Sequence, residues 1–196
     1  MPRLMQQQIR EKAKLFRTAR RLTLNDEPRG AIQLLDKYLG EIDPTDVDVL
    51  LLKGHILDSI HEFDQALTAY RKVLRIEHNN AAALNELGGY YSNIRHDYPK
   101  ALRYHGRALA LIETGRFHRD EEDEFIEACT EKAAALLELN RPMDALRCIV
   151  HGLEKYPAAI LLGDALQSAQ QRYQARRDRK LSKRFRKLKK QIEELR

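Results

Sequence analysis

The run Leu84-Asn85-Glu86-Leu87-Gly88-Gly89-Tyr90-Tyr91, with Tyr98 and Ala101 beyond it, decides the fold. Leu84, Leu87 and Tyr91 are three and four residues apart and share one face of a helix. Gly88 on that face lets a neighbouring helix come close. Ala101 does the same from the following helix, one turn after its start. Tyr98 marks that start and packs back onto the preceding helix. Two short helices joined by a turn is the expected unit.

The unit recurs along the chain. Ala31, Ala66, Ala101 and Ala145 are spaced 35, 35 and 44 residues apart, the last interval carrying nine extra residues. One residue after each anchor stands Ile32, Leu67, Leu102 or Leu146. Eight after each stands Leu39, Leu74, Leu109 or Leu153, on the same helix face. Three before each stands Pro28, Phe63, Tyr98 or Pro142; Pro is tolerated in a first helical turn. About a dozen residues before each anchor lies a second small residue: Ala19, Gly54, Gly88 or Ala133. Asn25, Asp26, Asp97 and Asn140 are expected to cap the second helices. Repetition at this period is the mark of a stacked repeat array.

Composition agrees. In 196 residues, 43% hydrophobic content argues against disorder, and the longest apolar runs fall far short of a membrane-spanning helix. Nine Gly and six Pro are too few for a turn-rich all-β fold. Cys129 and Cys148 make no disulfide framework and are expected as buried core residues of a reducing compartment. The basic N-terminus has no apolar core of a secretory signal. A cytoplasmic location is therefore expected.

Charge is unevenly placed. Residues 1–21 carry seven Lys/Arg and one acid, and residues 172–196 carry twelve Lys/Arg and three acids. With a total of +6, the body between them is strongly acidic. Such asymmetry points to an anionic partner at one end.

The repeated pattern resembles the tetratricopeptide repeat, a 34-residue helix–turn–helix with the consensus W-x2-L-G-x2-Y, A-x3-F and P. Leu84-x2-Leu87-Gly88-x2-Tyr91 with Ala101 matches best. Leu50-x2-Lys53-Gly54-x2-Leu57 with Ala66-x3-Tyr70 follows. Ala19, Leu22 and Ala31-x3-Leu35 with Pro44 are looser, as are Ala133, Leu136 and Ala145-x3-Ile149 with Pro157. The chain lacks the Trp of the consensus. The resemblance implies an all-α, TPR-like α-solenoid of four helix-turn-helix repeats with a long C-terminal capping helix. Its expected segments are a basic helix start at 1–11 and repeats at 12–45, 46–80 and 81–111. An inserted acidic loop at 112–125 and a fourth repeat at 126–158 follow, then a capping helix at 159–175 and a basic amphipathic helix at 176–196.

The resemblance also implies a concave groove lined by the first helix of each pair, which would hold a peptide or helix of a protein partner. Its positions are Phe16, Arg17 and Arg20; Leu51, His55 and Asp58; Asn85, Glu86, Gly89, Ser92 and Asn93; and Glu127, Thr130 and Glu131. The groove would run from basic to acidic. One subgroup grips chaperone C-terminal carboxylates with Lys and Asn at set positions. Leu51, Leu52 and Glu86 stand near those positions, so that role is not expected.

In the last helix Leu181, Phe185, Leu188, Ile192 and Leu195 form a seam of about two heptads, short for an autonomous coiled coil. Around it crowd Arg176, Arg177, Arg179, Lys180, Lys183, Arg184, Arg186, Lys187, Lys189 and Lys190. That helix is expected to meet an anionic partner (nucleic acid, acidic protein or a membrane surface) or to dimerise weakly. The seven His are scattered and the two Cys lack zinc-ligand spacing, so neither metal nor cofactor is expected. There is no phosphate-binding glycine loop and no nucleophile elbow. The expected protein is a non-enzymatic adaptor; the alternative is a nucleic-acid- or ribosome-associated protein anchored by its basic helix.

Overall fold

A computed structural model describes residues 3–114, 121–156, 158–159 and 163–165, together with Lys190. Among them are eight α-helices and no strand: α1 (Arg3–Leu24), α2 (Pro28–Glu41), α3 (Val47–Ser59), α4 (Phe63–Ile76), α5 (Ala81–Gly89), α6 (Tyr98–Glu113), α7 (Glu121–Glu138) and α8 (Pro142–Lys155). The π-helical segment Tyr90–Ile94 extends α5. The chain forms two compact units, the first ending at His78 and the second beginning at Asn79. In the first, α1 packs on α2, α2 on α3 and α3 on α4; in the second, α5 packs on α6 and α7, α6 on α7 and α7 on α8.

Within every pair the small residue of the first helix and the anchor alanine of the second are buried: Ala19 with Ala31, Gly54 with Ala66, Gly88 with Ala101, and Ala133 with Ala145. Four residues after each anchor, one turn on, comes a large interior side chain: Leu35, Tyr70, His105 or Ile149. Size is matched across the pairs. Where the second helix carries a ring, the first helix carries glycine. A Cβ on Gly54 would lie 2.4 Å from Tyr70 Cε1, and one on Gly88 would lie 2.4 Å from His105 Cε1. Where the second helix carries Leu35 or Ile149, the first carries Ala19 or Ala133.

Backbone geometry sets the turn. Asp26, His61, His96 and Asn140 all adopt positive φ, between 53° and 63°, and each stands five residues before its anchor. The left-handed residue lets a later N–H reach back over the helix end. Glu27 donates to the Leu22 carbonyl, Glu62 to Leu57 and Arg141 to Leu136, at 2.8–2.9 Å. Asp26 and Asn140 therefore shape the turn and do not cap the next helix, contrary to the expectation from sequence. Asp97 does cap, accepting from the Lys100 N–H at 3.1 Å. Asp46 and Asn80 cap α3 and α5 in the same way, from Val49 and Ala83.

The third pair has one residue more. Gly88 and Ala101 are 13 apart, where the other pairs have 12. The π-helical segment takes up the surplus, with Arg95 N–H donating to the Tyr90 carbonyl five residues back. The reach-back bond accordingly runs from Asp97 to Tyr91. Tyr91 then stacks on Tyr104 at 5.4 Å, the two rings almost parallel, beneath the Lys100 ammonium.

Polar contacts add register in the first unit. Lys12 on α1 donates to Asp46 and Asp48 at 2.8 Å, and the Tyr38 hydroxyl on α2 donates to Asp46. Burial opposes the Lys12 charge, but the two carboxylates outweigh it and hold the ammonium above its usual pKa.

The basic stretch at 1–11, expected as a helix start, runs on into α1 from Arg3, and part of the segment expected as a 112–125 loop is helical. Residues 112–113 belong to α6 and residues 121–125 to α7. Of the expected capping helix, residues 163–165 are helical and the remainder lies outside the described residues, apart from the non-helical Ala159.

Ring and glycine should be exchangeable only together. Gly88→Ala alone is expected to destabilise by about 1–3 kcal/mol, since the clash with the enclosed ring exceeds the helix-propensity gain of about 1 kcal/mol. Gly88→Ala made in a His105→Leu background should cost little in urea unfolding, because Ala with an aliphatic partner already serves in the first and fourth pairs, and the loss of the Asn85 hydrogen bond is then common to both chains compared. An equal cost of Gly88→Ala in both backgrounds would show that the ring contact does not set the helix spacing. Ala66→Leu and Ala101→Leu should each cost about 1–3 kcal/mol by overpacking.

Candidate functional site

The first helices of the pairs carry the sequence-derived groove positions. In the first unit α1 presents Arg17 and Arg20 exposed, with Phe16 half-buried. On α3, Leu51 is half-buried while His55 and Asp58 are exposed. The His55 ring lies against Tyr70, at 5.9 Å between centroids, so it covers the edge of the interior ring.

In the second unit some of the expected residues converge. Glu86 on α5, Asn93 in the π-helical segment and Glu131 on α7 interact: Asn93 donates a hydrogen bond to the Glu131 carboxylate, which also feels the Glu86 charge. Burial raises the Glu131 carboxyl pKa most, the Asn93 bond opposes that rise, and the Glu86 charge adds to it. Glu127, one turn before Glu131, is exposed. Gly89 is half-buried beside Glu86, with nothing near enough to obstruct a Cβ. This face is acidic and partly desolvated.

Other expected groove residues are interior groups. Asn85 is 3% exposed and Ser92 is 5% exposed. The Asn85 side-chain oxygen accepts from His105 Nδ1 at 2.7 Å, across from α6. The expectation that Asn85 is a groove amide is corrected: α5 is buried on two sides, against α6 and α7, and its oxygen is taken up within the core. Ser92 is drawn inward by the same π-helical turn that seats Tyr91. The Thr130 hydroxyl donates to its own helix at Ile126.

His105 is the polar residue that sequence reasoning passed over. It is fully buried, and its Nε2 has no hydrogen-bond partner among the described residues. Burial, aided by the nearby Lys132 charge, lowers its pKa to about 4. Its signal in the sequence was its position, four after Ala101, where the other pairs have Leu35, Tyr70 and Ile149.

The basic C-terminal positions Arg176, Arg177, Arg179, Lys180, Lys183, Arg184, Arg186, Lys187 and Lys189 lie outside the described residues; Lys190 is helical and exposed. Among the described residues no group of three or more His, Cys, Asp or Glu is placed to hold a metal ion, and no helix is long and apolar enough to cross a membrane.

The neutral His105 makes stability pH-dependent. An unfolded histidine protonates near 6.5 while the folded one resists until about 4. Between those values the unfolded chain binds more protons, so stability is full above pH 6.5 and falls as pH drops through this window. The loss is roughly 3 kcal/mol by linkage. Urea titrations at pH 7.5 and 4.5 should show it, and His105→Leu should flatten the difference.

Several solved structures share this arrangement. The crystal structure of MamA is 20% identical, with a TM-score of 0.67 over 90% of this chain and 92% of that one. YrrB, described as a TPR protein with an unusual peptide-binding site, is 21% identical, with a TM-score of 0.62 over 91% of this chain and 82% of that one. A putative kinesin light chain with nearly identical TPR-like repeats from Podospora anserina is 15% identical, with a TM-score of 0.67 over 92% of each chain. No protein-family model matches the chain, and no curated protein matches it. At these identities the likeness is one of fold.

Proposed function

We propose, for a chain whose fold is that of the all-α tetratricopeptide-repeat scaffolds of protein–protein interaction, that it is a non-enzymatic adaptor holding a protein segment on its first-helix faces. The observation that carries this reading is the Glu86–Asn93–Glu131 cluster. Two carboxylates on adjoining helices are partly withdrawn from water and repel one another. A Lys or Arg of a bound segment would relieve that repulsion and gain charge-assisted hydrogen bonds. Exposed Glu127 extends the acidic surface by one turn. The second unit is thus suited to a basic segment. Arg17 and Arg20 in the first unit offer the opposite charge to an acidic one. The peptide-binding site named for YrrB gives the reading a precedent within the fold. Fold alone does not assign a partner; the side chains of the face do.

A peptide array tests the assignment. The full chain should retain basic peptides, and Glu86→Gln with Glu131→Gln should lower that retention by roughly tenfold, about 1.4 kcal/mol, with the circular dichroism unchanged. Arg20→Glu should affect acidic peptides instead. Equal retention of basic peptides by the wild type and the double glutamine variant would remove the acidic face from the binding surface.

A further inference from the structure

Cys129 and Cys148 are the chain's two cysteines, 19 residues apart in sequence. Packing of α7 on α8 brings them together. The Cys148 S–H donates to the Cys129 carbonyl oxygen at 3.6 Å, which sets the Cys148 sulfur beside the backbone of Cys129. Their surroundings differ. Cys129 is fully buried, at 0% exposure. Cys148 is half-buried and opens onto a cavity of about 510 Å³ between α6, α7 and α8. Leu109 and Leu136 give that cavity an apolar wall, and Lys132, Arg147 and Glu113 give it charge. Glu113 is engaged by His151 at 2.6 Å, and Arg147 by Asp144 at 3.1 Å.

This asymmetry divides labour between the thiols. Cys148 is held below the usual thiol range by the hydrogen bond from Cys129 and by the Lys132 charge, against burial and Glu113. Cys129 is held above it by that same contact and by burial, and so keeps its proton. Thiolate character and access together determine which cysteine reacts first.

We infer that Cys148 is an oxidant-responsive modification site and that Cys129 resolves it, the co-reactant being hydrogen peroxide entering through the cavity. In the first step the Cys148 thiolate attacks one peroxide oxygen. The O–O bond breaks, hydroxide leaves and takes a proton from solvent, and Cys148 becomes a sulfenic acid. In the second step the Cys129 sulfur attacks the Cys148 sulfur. The S–O bond breaks, and the Cys129 proton leaves with the departing hydroxyl as water. Two thiols are oxidised to one disulfide while one peroxide is reduced to two waters. The product links α7 to α8 covalently. This site is independent of the acidic face on α5 and α7.

The test uses the reduced full-length chain and hydrogen peroxide. Intact mass and peptide mapping should show a Cys129–Cys148 disulfide within one chain. In Cys129→Ser the reaction should stop at a sulfenic acid on Cys148, trapped by dimedone. In Cys148→Ser, Cys129 should stay reduced. Iodoacetamide labelling of the wild type needs no variant and should modify Cys148 at least tenfold faster than Cys129. Persistence of both free thiols, links only between chains, or equal labelling of the two cysteines would each overturn the assignment.

Discussion

Everything in this molecule depends on how closely two helices approach within a pair. The approach is set at one point, where a residue with little or no side chain faces the second helix and a buried side chain of that helix fills the interior one turn past its anchor alanine. Interiors are packed densely enough that a single methyl group matters there. Gly54 beneath Tyr70 and Gly88 beneath His105 meet the requirement with a ring, while Ala19 and Ala133 stand in pairs whose second helices supply Leu35 and Ile149. The side chains on the two outer faces take their directions from this spacing. So does the meeting of the two cysteines across α7 and α8.

Much of this was legible from residue spacing. The anchor alanines, the small residues before them and the proline or aromatic helix starts all mark buried or boundary positions, because close packing leaves few residue types able to occupy them. The turns were less legible. Asp26, His61, His96 and Asn140 share one backbone conformation, and although Asp, Asn and His are the non-glycine residues that take it most often, none is the glycine that usually announces it. The caps Asp46 and Asn80 were hidden for a different reason, since a single Asp or Asn ahead of a helix is too common to single out.

The candidate face was read partly wrongly, and the reason is instructive. Periodicity places a residue on a helix but does not say how many neighbours that helix has. Asn85 was assigned to an open face, yet α5 is enclosed by both α6 and α7, and its amide is committed to His105. His105 escaped notice because a histidine is usually read as a surface or ligand residue. Here it is an interior ring whose charge is excluded by burial. Glu86 and Glu131, by contrast, were reached through the resemblance alone. Their electrostatic coupling needed the packing of α5 on α7 to become visible.

The π-helical segment Tyr90–Ile94 bears on how such a chain can accommodate a change of length. A residue inserted into a packed helix would ordinarily rotate every later side chain by about 100° and ruin the interface. Widening one turn confines the disturbance to that turn, so that Ala101 stays buried and α6 keeps its packing on α5. The third pair thus carries one residue more than the others around the same core. It identifies the end of a first helix as the place where such arrays can vary in length while their cores stay in phase.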